Sequence, residues 1–365
     1  MTRVAILTPT LTSADAVSND VLAMRQLLTE RGYEVRIFAE HVNIANKQVE
    51  APAAVQSFLR DHHDTVIYHH SIGWDLGLDF LKKNSFRTII KYHNITPPEF
   101  FEGISDWHRR LCETGRSQLK EIVALQLDLY MAASAFNKGD LIAAGSDDQK
   151  TFVVPPFNHA DKLQSGEADL EILDRYANGS VNLLTVGAVR PNKGHAALIE
   201  AFATYLHHFN NKARLFIVGS EDRSFATYKS SLREMIAAWH VGAHIVFTGQ
   251  VSDDSLKAYY LLADALLMTS EHEGFCVPLV EAMAMKVPIV AYASTAIPET
   301  VQDAGLIWDQ RDPFLLAQSI ESLLTDETAK MALLNRGSRR YEERFSNSAV
   351  AKQFLAAAGL AGFEF

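Results

Sequence analysis

A chain of 365 residues exceeds what one hydrophobic core usually organises and predicts about two domains. Hydrophobic residues at 48% beside 21% charged describe an ordinary folded protein, and a formal charge of −10 speaks against a nucleic-acid binder, whose footprint is a basic surface. The opening MTRVAILTPTLTS and every later apolar run are too short for a secretory core or a membrane span; Cys112 and Cys276 supply neither a disulfide framework nor a zinc motif, so a reduced, cytoplasmic setting is expected.

Short apolar runs alternate with longer helical patterns, the order that builds parallel α/β sheets. In the first half, strands are predicted over residues 4–7, 34–39, 65–69, 88–93, 129–133, 141–144 and 152–154. The loop after the first of these reads TPTLTSADAVSND and lacks the GxGxxG fingerprint of dinucleotide binders. Asp15, Ala16, Asn19 and Asp20 in it can face a ligand, although capping of a helix over residues 21–31 explains them more simply. His69 and His70 end one buried strand and are weaker candidates to line a ligand cleft. His93 ends the next strand, a place where open sheets meet substrates. Farther on, Trp107, His108, Arg109, Arg110, Arg116 and Lys120 make a basic, partly aromatic helical stretch, either a solvated face or a surface that meets a membrane-borne ligand.

Residues 155–176, with two prolines and then an acidic stretch, read as the linker and first helix of a second domain. Strands are predicted again over 183–189, 215–218, 244–248, 265–268 and 288–291. The first of them runs into Arg190, Lys193 and Gly194 and then a helix over 196–205, which delivers positive charge at a strand's carboxyl end. The loop Thr248-Gly249-Gln250-Val251-Ser252-Asp253 precedes a helix that Ser252 or Asp253 can cap. After the run 265–268 come Glu271, His272, Glu273 and Gly274, with Pro278 suited to a first helical position. Amides of Gly274, Phe275, Cys276 and Val277 then lie at the positive end of a helix and favour a diphosphate, while the acceptor-only carboxylates of Glu273 and Glu281 suit pairs of sugar hydroxyls. An alanine-rich helical pattern closes the chain over residues 346–360.

Glu273 and Glu281, with seven residues between them, EGF opening the block and Pro278 inside it, resemble the signature of the family 4 retaining glycosyltransferases of GT-B fold. The resemblance implies two doubly wound, Rossmann-like parallel-sheet domains facing across a cleft. Residues 1–160 would form the acceptor side and 161–345 the nucleotide-sugar side, with the helix in 346–365 packing back on the first domain. It further implies that Glu273 holds the transferred sugar, Glu281 the ribose, Lys193 the diphosphate and His93 the donor sugar. Gly187, Gly249, Val251 and the 274–277 loop complete the donor site. Two positions depart from the family: Ala188 stands where an arginine is usual, and Cys276 where a glycine is common. Arg190 replaces that arginine if the strand continues to it, since alternate strand residues share a face.

The implied activity is hexosyl transfer, with retention, from a nucleoside diphosphate sugar to a hydroxyl of a glycan or lipid-linked acceptor. Likeness of SEHEGFCVPLVEAM to bacterial polysaccharide mannosyltransferases points to GDP-mannose, with a UDP-sugar as the other donor. No cofactor and no obligatory metal are expected, because no Asp-x-Asp motif is suitably placed. A GT-B nucleotide-sugar epimerase and a non-catalytic nucleotide-sugar binding subunit are the alternatives. Contact with the inner membrane surface is expected to be peripheral at most, and the sequence leaves the oligomeric state open.

Overall fold

The computed structural model describes residues 2–13, 15–44 and 49–365. The chain divides into two compact units: Met1–Glu99, Asp106–Asn158 and Asn347–Phe365 form the first, Phe100–Ser105 and His159–Ser346 the second.

The first unit is built on seven strands: β1 (Arg3–Thr12), β2 (Glu34–Asn43), β3 (Val49–Glu50), β4 (Thr65–His70), β5 (Arg87–Tyr92), β6 (Leu129–Ala132) and β7 (Thr151–Val153). They lie in the order β3-β2-β1-β4-β5-β6-β7, every pair parallel. All six residues of β4 are buried, as expected of a central strand covered on both faces. The helix Asn347–Leu360 belongs to this unit, with Val350, Phe354, Ala357 and Ala358 in its core beside Val154 and Phe157. Where the chain leaves and re-enters, Asn158 N–H donates to Asn347 Oδ1 (3.1 Å) and Asn347 Nδ2 donates to the Asn158 carbonyl (3.0 Å).

The second unit carries β8 (Asn182–Val186), β9 (Arg214–Val218), β10 (Ile245–Gly249), β11 (Ala265–Met268), β12 (Ile289–Tyr292) and β13 (Leu306–Trp308), all parallel, in the order β10-β9-β8-β11-β12-β13. In each sheet the winding direction reverses once, between β1 and β4 and between β8 and β11. Ligands of open α/β sheets bind outside the carboxyl ends of the strands at such a reversal.

Several local expectations are corrected. Residues 141–144 are not a strand; they fall at the end of the helix Ala135–Ala143, which Ser134 caps by accepting from Asn137 N–H. The first helix is Ala16–Glu30, not 21–31, and Asp15 caps it by accepting from Ser18 N–H. Ser18 and Asp20, polar enough to read as loop, are buried inside that helix. Strand β8 stops at Val186 rather than continuing to 189, because Gly187 turns to φ 146°. The short strands β3 and β13 carry too few residues to show an alternation and escaped the sequence reading.

Candidate active site

The loops after β8 and β11 flank the reversal in the second sheet, and close backbone approach ties them together. Gly194 has φ 66°, and a Cβ on it would stand 2.1 Å from the Thr269 carbonyl oxygen, so only glycine fits. Thr269 Oγ1 in turn donates to the Gly194 carbonyl at 3.0 Å. The Asn192 carbonyl accepts from Glu271 N–H at 2.8 Å, and Asn192 Nδ2 donates to the His272 carbonyl at 3.1 Å. This lacing brings Lys193 Nζ to 2.6 Å from Glu273 Oε1, an ion pair whose carboxylate residue is 7% exposed. Thr295 Oγ1 holds the backbone of Glu273 from both sides, accepting from its N–H and donating to its carbonyl, each at 2.8 Å.

Beyond Glu273 the chain passes through Cys276, at φ 71° and ψ 71°, into the helix Val277–Met285 with Pro278 in its first turn. No side chain caps this helix. The amides of Gly274, Phe275, Cys276 and Val277 find no acceptor among the described residues. Unpaired amides at a helix start favour an anion. Glu281, on the helix, is 3% exposed, and its Oε2 accepts from Tyr260 Oη at 2.7 Å. Burial pushes the Glu281 carboxyl up, against the opposing pull of His159 and the Tyr260 hydroxyl. Burial, then the Glu273 charge, raise the Cys276 thiol well above its usual value, so it stays protonated.

The remaining predicted donor residues are placed less uniformly. Gly187 lies against the Lys193 side chain, and a Cβ on the facing Gly219 would come within 2.0 Å of the Gly187 carbonyl oxygen. The Gly249 carbonyl accepts from Gly219 N–H at 3.1 Å, Val251 is half-buried, and Ser252 caps the helix Asp253–Leu262. Phe275 points into the core, edge-on to Phe345 at 5.4 Å, with its carbonyl accepting from Thr300 Oγ1. Its side chain is therefore turned away from any ligand, which leaves only its backbone facing the loop. Because β8 ends at Val186, strand alternation does not align Arg190 with Ala188. Both nevertheless line one groove of about 410 Å³ with Val189, Ser220, Glu221, Asp222 and Arg223, and Arg190 is exposed on it.

A cation, uncapped amides and two buried carboxylates at one sheet reversal make a site for a polyanion that also carries hydroxyls. Residues 176–340 match the family described as glycosyl transferases group 1. This segment is a glycosyl transferases group 1 domain. D-inositol 3-phosphate glycosyltransferase from Geodermatophilus obscurus is 28% identical over 246 residues, covering 65% of this chain and 54% of that protein. GDP-mannose-dependent alpha-(1-6)-phosphatidylinositol monomannoside mannosyltransferase from Mycobacterium tuberculosis is 28% identical over 217 residues, 56% of this chain and 55% of its own. The matched region thus spans about half the length of these relatives. Anabaena HepE in complex with UDP and glucose superposes with a TM-score of 0.77 at 17% identity, covering 98% of this chain and all of that one, 100%. The fold is GT-B, two Rossmann-like units. The group 1 domain contains every predicted donor-site residue except His93.

His93 lies in the first unit, just past β5, and its ring is held by residues that spacing did not connect. His93 Nε2 is 2.8 Å from His69 Nδ1, and both approach Asp20 Oδ2, at 3.5 and 3.9 Å respectively. These ligand-type atoms all lie within 4.8 Å of one another. Asp20 Oδ1 accepts from Phe157 N–H at 2.8 Å, so Asp20 is a fully buried anchor and does not face an acceptor. His70 is likewise buried, its Nε2 at 2.9 Å from the Gly115 carbonyl, and lines no cleft. On the helix Asp106–Ala124, Arg109 pairs with Glu113 and Arg116 donates to the Ile95 carbonyl at 2.9 Å. That leaves Arg110, Lys120 and Trp107, the last 65% exposed, as its outward surface. Among the described residues no helix is long and apolar enough to cross a membrane.

Proposed function

We propose that the chain is a retaining glycosyltransferase moving a hexose from a nucleoside diphosphate sugar to a hydroxyl of a glycan or lipid-linked acceptor. The observation that carries this reading is the Lys193–Glu273 pair set beside the uncapped start of the Val277–Met285 helix. A diphosphate there gains the ammonium and the free amides, and Glu273 is released from Lys193 to accept from sugar hydroxyls. Glu281 is assigned to the ribose, Arg190 to the outer phosphate, Gly249 and Val251 to the base through backbone groups, and His93 to the reacting sugar.

The chemical task is to stabilise the departing diphosphate, which is mainly electrostatic work. The bond from C1 to the phosphate oxygen breaks, a bond from the acceptor oxygen to C1 forms on the same face, and the acceptor proton passes to the departing phosphate. The Mycobacterium tuberculosis relative named as GDP-mannose-dependent supports GDP-mannose as donor; the UDP carried by the Anabaena neighbour keeps UDP-sugars in the test. No obligatory metal is assigned, since Lys193 and Arg190 supply the neutralising charge.

The test is incubation with UDP- and GDP-sugars and hydroxyl acceptors, following free nucleotide and the anomeric configuration of any glycoside by NMR. Retained configuration with EDTA present is expected. Inversion, or activity abolished by EDTA and restored by magnesium, overturns the mechanism. Epimerised donor without glycoside, or binding without turnover, replaces transfer by the epimerase or the binding-subunit reading.

A further inference from the structure

We infer that His69 is a positioning residue that fixes the tautomer of His93, so that His93 presents a ring N–H, at Nδ1, to its ligand. The geometry begins with strand register: β4 and β5 pair in parallel with His69 beside Lys91 and His70 beside Tyr92, and His93 N–H donates to the His70 carbonyl at 3.0 Å. That alignment puts His69 Nδ1 and His93 Nε2 at 2.8 Å. Two imidazole nitrogens at this distance share one hydrogen, one ring donating and the other accepting.

The two assignments differ in what they leave buried. His69 Nε2 is enclosed and has no partner among the described residues. If His93 donated, neutral His69 would carry its hydrogen on that Nε2, a buried N–H without an acceptor. Orphaned N–H groups are rarer in folded proteins than under-used acceptors. If His69 donates from Nδ1, only a lone pair is left at Nε2, and His93, accepting at Nε2, must keep its own hydrogen on Nδ1. That atom is engaged by no described residue.

Both rings are neutral, because burial lowers His93 well below the usual histidine value and His69 to about 3, and the Lys91 ammonium presses in the same direction. Lys91 is itself buried, bonded to the Val154 carbonyl and, at 3.3 Å, to that of Pro155. Asp20 Oδ2, unpartnered and too far from either ring for a good hydrogen bond, answers the Lys91 charge rather than holding the proton of the pair. A divalent metal among Asp20, His69 and His93 would displace the hydrogen of the imidazole pair and sit in the field of Lys91, so the proton network is the better account of these three residues.

The identity of the ligand at Nδ1 rests on the proposed transfer, whereas the tautomer does not. The test is long-range ¹H–¹⁵N NMR of the full chain labelled at histidine, without ligand, at neutral pH. His69 and His93 are both expected as Nδ1–H tautomers. In His69→Phe, with folding checked by thermal melting, His93 is expected to lose its exclusive Nδ1–H form. An Nε2–H signal for His93 in the wild-type chain overturns the inference whether or not the variant folds. So does an unchanged His93 in the variant, or a shift of both rings on adding one equivalent of ZnCl₂. Absence of transferase activity alongside the expected tautomers would sink the proposed function and leave the positioning role standing.

Discussion

The two sheet reversals differ in how they hold their buried polar groups. In the second unit each key carboxylate has a dedicated partner, Lys193 for Glu273 and Tyr260 for Glu281. In the first unit Tyr68 Oη, His69 Nε2, His70 Nδ1 and one oxygen of Asp20 are buried without a partner among the described residues, whereas beside the second reversal only Ser270 Oγ, of the described side-chain atoms, is left so. A buried polar group left unpaired costs about 1–3 kcal/mol, so the first arrangement leans on packing and on neutral histidines around the buried Lys91 and Asp20, the second on directly paired carboxylates. The difference predicts that mutations in the second unit act on binding and turnover, and that pH acts mainly on the first, where His69, His70 and Asp20 lie.

The largest expected effect is at the ion pair. Lys193→Ala and Glu273→Ala should each lower kcat by about 10²–10³-fold, the size seen when a preorganised electrostatic group is removed. Arg190→Ala should cost less, because Arg190 is exposed and its field is screened by solvent. Steady-state kinetics on the three variants checks the ranking. A silent Arg190→Ala would make Ala188 a true gap in the site, and near-normal turnover in the other two would remove the basis for transfer.

Next is acid stability. His70 is lowered from 6.5 to about 4 by burial, partly offset by its bond to Gly115. Its folded value lies below the unfolded one, so its contribution is intact above pH 6.5 and is lost as pH falls toward 4. The slope is about 1.4 kcal/mol per pH unit per proton. His69, lowered to about 3, and His195, lowered to about 4, act in the same sense. Asp20, raised by burial from 3.8 to about 6, acts in the opposite one: its stabilising share is present below pH 3.8 and lost as pH rises through 6. His70→Gln keeps a donor for the Gly115 carbonyl and removes one titrating group. Urea titrations between pH 4.5 and 6.5 should show a flatter slope in the variant; an equal slope would mean His70 titrates normally.

A smaller effect is expected at Glu281. Glu281→Gln should weaken nucleoside diphosphate binding by about 1.5–3 kcal/mol, the worth of a charged hydrogen bond, with kcat at saturating donor changed much less. Calorimetry with GDP and UDP measures it. Equal affinity in wild type and variant would detach Glu281 from the ribose.

Legibility followed the same division. Central strands such as β4, β5 and β11 were readable because parallel strands buried on both faces are continuous apolar runs. The Glu273–Glu281 block was readable because its residues are contiguous and its loop runs directly into a helix. The run 141–144 misled because a short apolar stretch at the end of a helix has the same composition as a buried strand. Asp20, His69 and His93 were named separately and their union was missed, since nothing in their spacing states that a helix after β1 and the ends of β4 and β5 converge. Topology brings them together, and the β4–β5 register sets the distance.

The smallest effect, that of Cys276→Gly, tests a strained position beside the charged site. Cys276 occupies the left-handed region at φ 71°, where a side chain costs about 1–2 kcal/mol. Glycine would relieve that strain, but it would add unfolded-state freedom worth about 0.5–1 kcal/mol and forfeit the burial of a small side chain, about 0.8 kcal/mol per methylene-sized group. These terms nearly cancel, so Cys276→Gly should shift stability by less than about 1 kcal/mol and preserve nucleotide affinity, because the loop already has the conformation glycine favours. Valine cannot share the cancellation: its branched Cβ is a rare outlier at positive φ, and Cys276→Val should destabilise by about 2–3 kcal/mol. Urea midpoints for the two variants decide the matter. A Cys276→Gly variant as damaged as Cys276→Val would show that the thiol's packing, not the backbone, holds the loop, and the second unit would then depend on packing as the first one does.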